Sequence, residues 1–222
     1  GRTMRRTTPV GPPAPDAPLA SLADLKADLG ISDASQDAKL ALLLQDASSM
    51  ALAYVGRPLI DRAWRDVIEM GCDARRSDLV LGRYPVSAVT GLSIGATALD
   101  ADTVAALAIN PEAGILYPPD DGPARCWLAA RYVVTYRAGY TLESVAADGT
   151  TVVRGTLPAS IQRAVRLTAA ALWHGTGRDP LLKSESEQGV GSTSWDTSAT
   201  ASGGMPQAAA DILDAYRPAG VA

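Results

Sequence analysis

The apolar residues of this chain change their spacing twice, and that double change constrains the fold more than any other feature. Between Ser35 and Tyr54 they stand at Leu40, Leu43, Leu44, Ala47, Met50, Ala51 and Tyr54, the i, i+3, i+4, i+7 pattern of one helical face, and Gly56 and Pro58 end it. From about residue 62 to 140 the runs "AWRDVIEM", "DLVLG", "VSAVTGLSIG", "GILYPP" and "RYVVTYRAG" are short, rich in β-branched and aromatic residues, and separated by glycine, proline and aspartate, as antiparallel strands are. "TLPASIQRAVRLTAAALWHGTG" then restores helical spacing, with Pro158 placed for a first turn and Ile161, Val165, Ala169, Leu172 and Trp173 on one face. Helices that flank strands in sequence predict an α+β fold, a helical core carrying a small antiparallel β insert.

The remaining segments divide the chain further. Residues 1–20 hold five prolines without apolar periodicity and read as a flexible, partly extended tail. "SLADLKADLG" has a serine cap, leucines at 22, 25 and 29 and a glycine stop, so residues 21–60 read as an N-terminal helix pair. The β insert with its connecting loop then covers 61–157, and the long helix 158–180 completes the core. "LLKSESEQGVGSTSWDTSATASGG", residues 181–204, is mostly glycine, serine and threonine with little to bury beyond Val190 and Trp195, and it reads as an extended arm that waits for a partner. Residues 205–222 read as a short C-terminal helix and tail, with Ala209, Ile212, Leu213 and Tyr216 on one face.

Composition removes several function classes. At 222 residues and 47% apolar the chain can build a core, and 20 basic against 24 acidic residues, a net charge of −4, give no global attraction to nucleic acid or to an acidic membrane. Two cysteines, Cys72 and Cys126, and one histidine make no zinc ligand set, and free thiols fit a reducing compartment. "GRTMRRTTPVGPPAPDAPLA" has basic residues without a following apolar run, so neither a signal peptide nor a membrane anchor is expected.

Local motifs are weak when set in context. "GLSIG", residues 91–95, has the G-x-S-x-G spacing of an esterase nucleophile elbow, but no helical face follows Ser93 and the sole base is His174, a helix-end residue. A small serine hydrolase built on Ser93 and His174 is therefore an alternative reading. Asp100 with Asp102, and Asp120 with Asp121, lie in turn-like contexts where aspartate normally serves the turn rather than a metal. "GVGSTS" lacks the lysine and the preceding strand of a phosphate loop. Arg163 and Arg166 sit one turn apart on the long helix with no acid between Pro158 and Arg178, which leaves a DNA-binding module as a further alternative and a solvated face as the plain one. From Arg178 to Ala222, three basic residues oppose six acidic ones, so one subunit's arm and another's Arg163 and Arg166 are candidates for charge contacts.

The order of these elements resembles the head-to-tail connector, or adaptor, family of long-tailed bacteriophages and gene transfer agents. "LADLKADLGISDASQDAKLALLLQDASSMALAYVGRPL" is similar to that family's opening helix pair with its aromatic-x-G-R-x-L ending. "LVLGRYPVSAVTGLSI" is similar to its strand, proline-valine and strand, and "VVTYRAGY" and "LPASIQRAVRLTAAALWHGTGRDP" to its last strand and long helix. "KSESEQGVGSTSWDT" is similar to its C-terminal arm, and the resemblance spans about residues 19–217. "TLESVAADGTTVVRGT" is longer than the usual connection, and the proline-rich tail lies outside the resemblance.

The resemblance implies a non-enzymatic subunit without cofactor or metal. It implies a dodecameric homo-oligomeric ring beneath the portal protein, with a stopper or tail-side neck protein below and DNA passing through the lumen without sequence-specific binding. The place implied is the neck of a virion or phage-like particle, assembled in the bacterial cytoplasm and without membrane contact. The arm would dock on the portal by adding a strand to a sheet edge, with Val190 and Trp195 as anchors and Gly189 and Gly191 allowing close backbone approach. Lys183, Tyr216 and Arg217 complete the expected portal-binding or neighbour-binding set.

Overall fold

The computed structural model describes residues 3–13, 16–72, 74–119, 126–175, 184–187, 191–194, 200–201 and 204–218. In chain order the elements begin with β1 (Thr3–Pro9), α1 (Leu22–Leu29), α2 (Asp37–Val55) and β2 (Arg62–Met70). Next come β3 (Arg75–Arg76), β4 (Leu79–Val80), β5 (Val86–Ile94), β6 (Thr97–Ala98), α3 (Ala101–Ala105), β7 (Ile109–Asn110) and β8 (Ile115–Leu116). β9 (Trp127–Leu128), β10 (Arg131–Ala138), β11 (Ser144–Val145), β12 (Val152–Val153) and α4 (Ala159–Gly175) follow. The last are β13 (Ser184–Glu187), β14 (Gly191–Ser194), β15 (Thr200–Ala201), β16 (Met205–Pro206) and α5 (Gln207–Asp214). The fold is α+β with antiparallel sheets, and it divides into two units, Gly1–Pro15 with Leu59–Gly155, and Asp16–Pro58 with Thr156–Ala222.

The first unit is built on a five-stranded sheet in the order β1-β2-β10-β5-β6. The strand period of two puts Trp64, Ile68 and Met70 of β2 and Tyr132, Val134, Tyr136 and Ala138 of β10 on the same buried face, in the register Tyr132↔Ile68 and Tyr136↔Trp64. Trp127 meets Tyr132 edge to face at 5.4 Å and donates its indole N–H to the Leu116 carbonyl at 3.1 Å. One acid shares this core: Asp66, fully buried, accepts from the Gly82 amide at 2.6 Å and from the Tyr136 hydroxyl at 3.1 Å. The order of elements predicts a helical core carrying a small β insert, whereas the sheet unit has an apolar core of its own.

The expectation of a flexible N-terminal tail is corrected. Residues 3–9 form β1, paired antiparallel with β2 from Thr3↔Met70 to Pro9↔Trp64. The signal was hidden because an edge strand with one face in solvent needs little apolar content: Met4, Arg5, Arg6 and Thr8 are exposed. What seats β1 is remote in sequence. Gly82 lies where a Cβ would stand 2.0 Å from the Thr7 hydroxyl oxygen, and Arg5 donates to the Val80 carbonyl at 2.9 Å.

In the second unit the serine cap and glycine stop of α1 both form. Ser21 Oγ accepts from the Asp24 amide at 3.1 Å, and Gly30, at φ 68°, returns its N–H to α1 carbonyls. α4 packs against α1, α2 and α5 through Ile161, Ala164, Val165, Thr168 and Ala169. The two buried hydroxyls are satisfied within their helices: Ser48 donates to Leu44 O and Thr168 to Ala164 O, and Ser48 also accepts from the Leu19 amide. α5 buries Ala209, Ala210 and Leu213 completely, so the C-terminal helix is part of this unit's packing.

Candidate functional site

The arm is the sequence's main candidate, and the structure describes part of it. β13 and β14 pair antiparallel from Ser184↔Ser194 to Glu187↔Gly191, so the described residues form a hairpin where one extended segment was expected. Gly191 opens β14. Lys183, Gly189, Val190 and Trp195 lie outside the described residues.

Tyr216 and Arg217, expected to belong to the binding arm, are held by their own unit. The Tyr216 hydroxyl lies 2.6 Å from Ser160 Oγ on α4, and its carbonyl accepts from Arg57 Nε at 2.7 Å. Arg217 stacks over the Tyr54 ring at 5.3 Å and reaches Asp214 at 3.5 Å, while the Tyr54 hydroxyl donates to the same Asp214 at 2.9 Å. That hydrogen bond to a carboxylate is the main reason the Tyr54 phenol is pushed above the ordinary tyrosine range. These contacts tie the chain after α5 to α2 and α4.

The two arginines proposed for charge contacts between subunits differ. Arg166 is engaged inside the unit, with Nε 2.6 Å from Asp28 and Nη1 3.8 Å from Asp24, both on α1. Arg163 is exposed and makes no ion pair among the described residues.

The esterase-like spacing does not form an elbow. Ser93 lies in β5, paired with Val133 on one side and Ala98 on the other, and β5 runs through the Gly95 turn into β6. A nucleophile elbow needs a strand-to-helix turn at the serine, and none forms there. His174 stands exposed in the last turn of α4, in the other unit. Asp100 is the N-cap of α3, its carboxylate accepting from the Thr103 amide at 2.8 Å and hydroxyl at 2.7 Å, which holds its pKa below the usual carboxylate value. Asp120 and Asp121 lie outside the described residues. Among the described residues no three His, Cys, Asp or Glu side chains gather as a metal site, and no helix is long and apolar enough to cross a membrane. Cys72 is exposed and Cys126 half-buried, both as free thiols.

What the surface of the first unit offers is a sheet edge and a basic face, neither of which the sequence pointed to. β1 ends the sheet, and its outer face continues with Arg6, Arg65, Arg131 and Arg137 on three adjacent strands. Arg131 pairs with Glu69 at 3.7 Å and Arg137 with Asp61 at 2.5 Å. Arg6 and Arg65 are exposed without an ion pair among the described residues.

Among the described residues the structure thus presents a paired stretch of the arm, an open sheet edge and a face of exposed arginines. Residues 18–219 match the model of the head completion protein family, and this chain belongs to that family. The curated proteins hold no match. Among solved structures, a chain in the neck of an empty gene transfer agent particle, computed with C6 symmetry, aligns over 98% of this chain and 97% of that one at 18% identity and a TM-score of 0.50. Chains of a native gene transfer agent virion and of a native particle's neck align at 18% and 17% identity, over 97% and 98% of this chain and 97% of each of theirs, with TM-scores of 0.47 and 0.48. β1 lies outside the family match.

Proposed function

We propose that this protein is a head-to-tail connector subunit of a phage or phage-like particle. It forms a ring on the portal protein and links the DNA-filled head to a stopper or tail-side neck protein. The observation that carries this reading is the family match over nearly the whole chain. The likeness of fold to a neck chain of a gene transfer agent particle supports it, and the C6 symmetry used for that neck is a symmetry a ring of twelve has.

In this reading the helical core of α1, α2 and α4 and the β unit supply two unlike surfaces, as a closed head-to-tail ring requires. The arm, residues 181–204, docks on the portal. Its few apolar residues keep the contact of one arm weak, and twelve arms acting together make the attachment strong. DNA passes through the lumen without sequence-specific contact, and the ring is assembled in the bacterial cytoplasm as part of the particle's neck. The chemistry is contact alone, with no cofactor.

The test is the native mass of the 23.0 kDa chain alone and mixed with its portal. A portal complex carrying twelve chains is the expected product. Because α5 is packed into its unit, the arm variant replaces 184–201 by glycine and serine at equal length and leaves 204–222 intact. That variant is expected to keep its melting temperature and lose portal binding. Normal joining by it would overturn the assignment of the arm.

A further inference from the structure

We infer that β1 is a strand-acceptor edge and that its occupant is β13 of a second copy of this chain, so that the sheet of one subunit continues into the arm hairpin of the next. This contact uses β13, at the start of the arm, and leaves the anchors Val190 and Trp195 to portal docking, on which it does not rest.

The acceptor is defined by backbone geometry. The Val10 amide donates to the Ala63 carbonyl at 2.9 Å, one step beyond the Pro9↔Trp64 pair. In an antiparallel ladder the bonded pairs alternate, so Met4, Arg6 and Thr8 spend their backbone groups on β2, while Thr3, Arg5 and Thr7 turn theirs to the open side. Among the described residues no backbone group outside β2 bonds to them. Pro9, which has no N–H, closes the edge at its end. The edge therefore offers three residues' donors and acceptors in a row, enough for a strand of about four residues.

The occupant is selected by length and charge. β13 is four residues long, and β14 takes one of its two edges, leaving the other without a partner among the described residues. Its sequence, Ser-Glu-Ser-Glu, carries two acids and no base, with Glu185 and Glu187 at the spacing that places two residues on one face of a strand. β1 carries Arg5 and Arg6 and no acid, and Arg65 lies one strand further in. Opposite charges across adjacent strands stabilise pairing and like charges oppose it, so the edge favours this strand over a second β1. The serines of β13 supply no apolar area, which makes the contact weak singly and suited to repetition.

The experiment uses the full chain with Cys72 and Cys126 changed to Ser, and Thr7→Cys and Ser186→Cys placed in separate copies, two positions that face each other when Glu185 and Glu187 share the face of Arg6 and Arg65. Mixed under mild oxidation, the two are expected to give a covalent dimer. Arg6→Glu with Arg65→Glu in the first copy is expected to cut its yield about tenfold, equivalent to about 1.4 kcal/mol. Adding Glu185→Arg and Glu187→Arg to the second copy is expected to restore it, a recovery that damage to folding cannot produce. Absence of the dimer, or a yield indifferent to both charge changes, overturns the inference. So does a chain carrying both cysteines that closes only on itself. Portal binding by the Arg6→Glu, Arg65→Glu chain is measured in parallel and is expected to survive, which separates this contact from the portal-docking reading.

Discussion

Asp66 shows how far a single residue is legible. In "AWRDVIEM" it reads as one of three charged residues, with Arg65 and Glu69, yet the register set by Trp64, Ile68 and Met70 carries it alone to the buried face. Its donors, the Gly82 amide and the Tyr136 hydroxyl, come from 16 and 70 residues away, so no local pattern announces them. The Tyr136 hydroxyl in turn accepts from the Arg83 amide at 3.1 Å. Tyr136→Phe strips a donor from a buried carboxylate and an acceptor from an amide, at a cost of about 1–3 kcal/mol. Urea unfolding followed by tryptophan fluorescence should show a lower midpoint with an unchanged slope. The same pair fixes a pH effect. Burial first, and then the Asp66 charge, raise the Tyr136 phenol well above its ordinary value. The folded state thus holds the proton longer than the unfolded chain, whose tyrosine releases it near pH 10. The stabilisation is complete below about pH 10 and is lost as pH rises toward the folded value. Tyr136→Phe should make the alkaline fall in stability shallower, although Tyr54 and Tyr132, also raised, keep part of it.

At the scale of elements, α1, α2, α4 and α5 were legible, whereas α3, read as a turn, and the first strand were not. α1 and α2 end at left-handed Gly30 and Gly56, at φ 68° and 69°, and such stops are written in the sequence because few other residues take that conformation. The central strands were legible because each has one face to bury. β1 has almost nothing to bury on its own and becomes a strand only when β2 and the Gly82 region receive it. The hairpin of the arm was missed for the same reason: serine, glycine and glutamate carry no period. The dependence of β1 on Gly82 is measurable. In Gly82→Ala the new methyl would meet Thr7 at 2.0 Å from Oγ1 and 2.9 Å from Cβ, so either β1 or the Gly82 loop must shift. Hydrogen exchange at the Met4, Arg6 and Thr8 amides is expected to accelerate about tenfold while α2 amides keep their protection. Unchanged exchange across β1 would mean that something other than Gly82 seats the strand.

For the whole molecule, each unit is assembled from two separate stretches of chain, so neither is a contiguous segment of the sequence. Charge is also divided unequally. The stretches 1–15 and 59–155 hold twelve arginines against twelve acids, whereas 16–58 and 156–222 hold eight basic residues against twelve acids, so the whole net charge of −4 belongs to the second unit. An edge on the first unit that receives a strand from the second unit of another copy is a head-to-tail contact between unlike surfaces. Such a contact runs on from copy to copy until it closes into a ring. This has a consequence that a symmetric two-fold contact does not share. A chain with Arg6→Glu and Arg65→Glu keeps its acidic strand but loses its acceptor edge, and a chain with Glu185→Gln and Glu187→Gln keeps the edge but loses the acids. Each alone should stay monomeric by native mass, because every contact would need one intact surface and one damaged surface. Mixed in equal amounts, the first variant's strand finds the second variant's edge, and assembly should stop at two chains, since the surfaces left open are the two damaged ones. The unmodified protein at the same concentration should pass beyond dimers, and its assembly should weaken with added salt, which screens exposed pairs of this kind. A two-fold contact would leave the unmodified protein at dimers and give no such stop in the mixture.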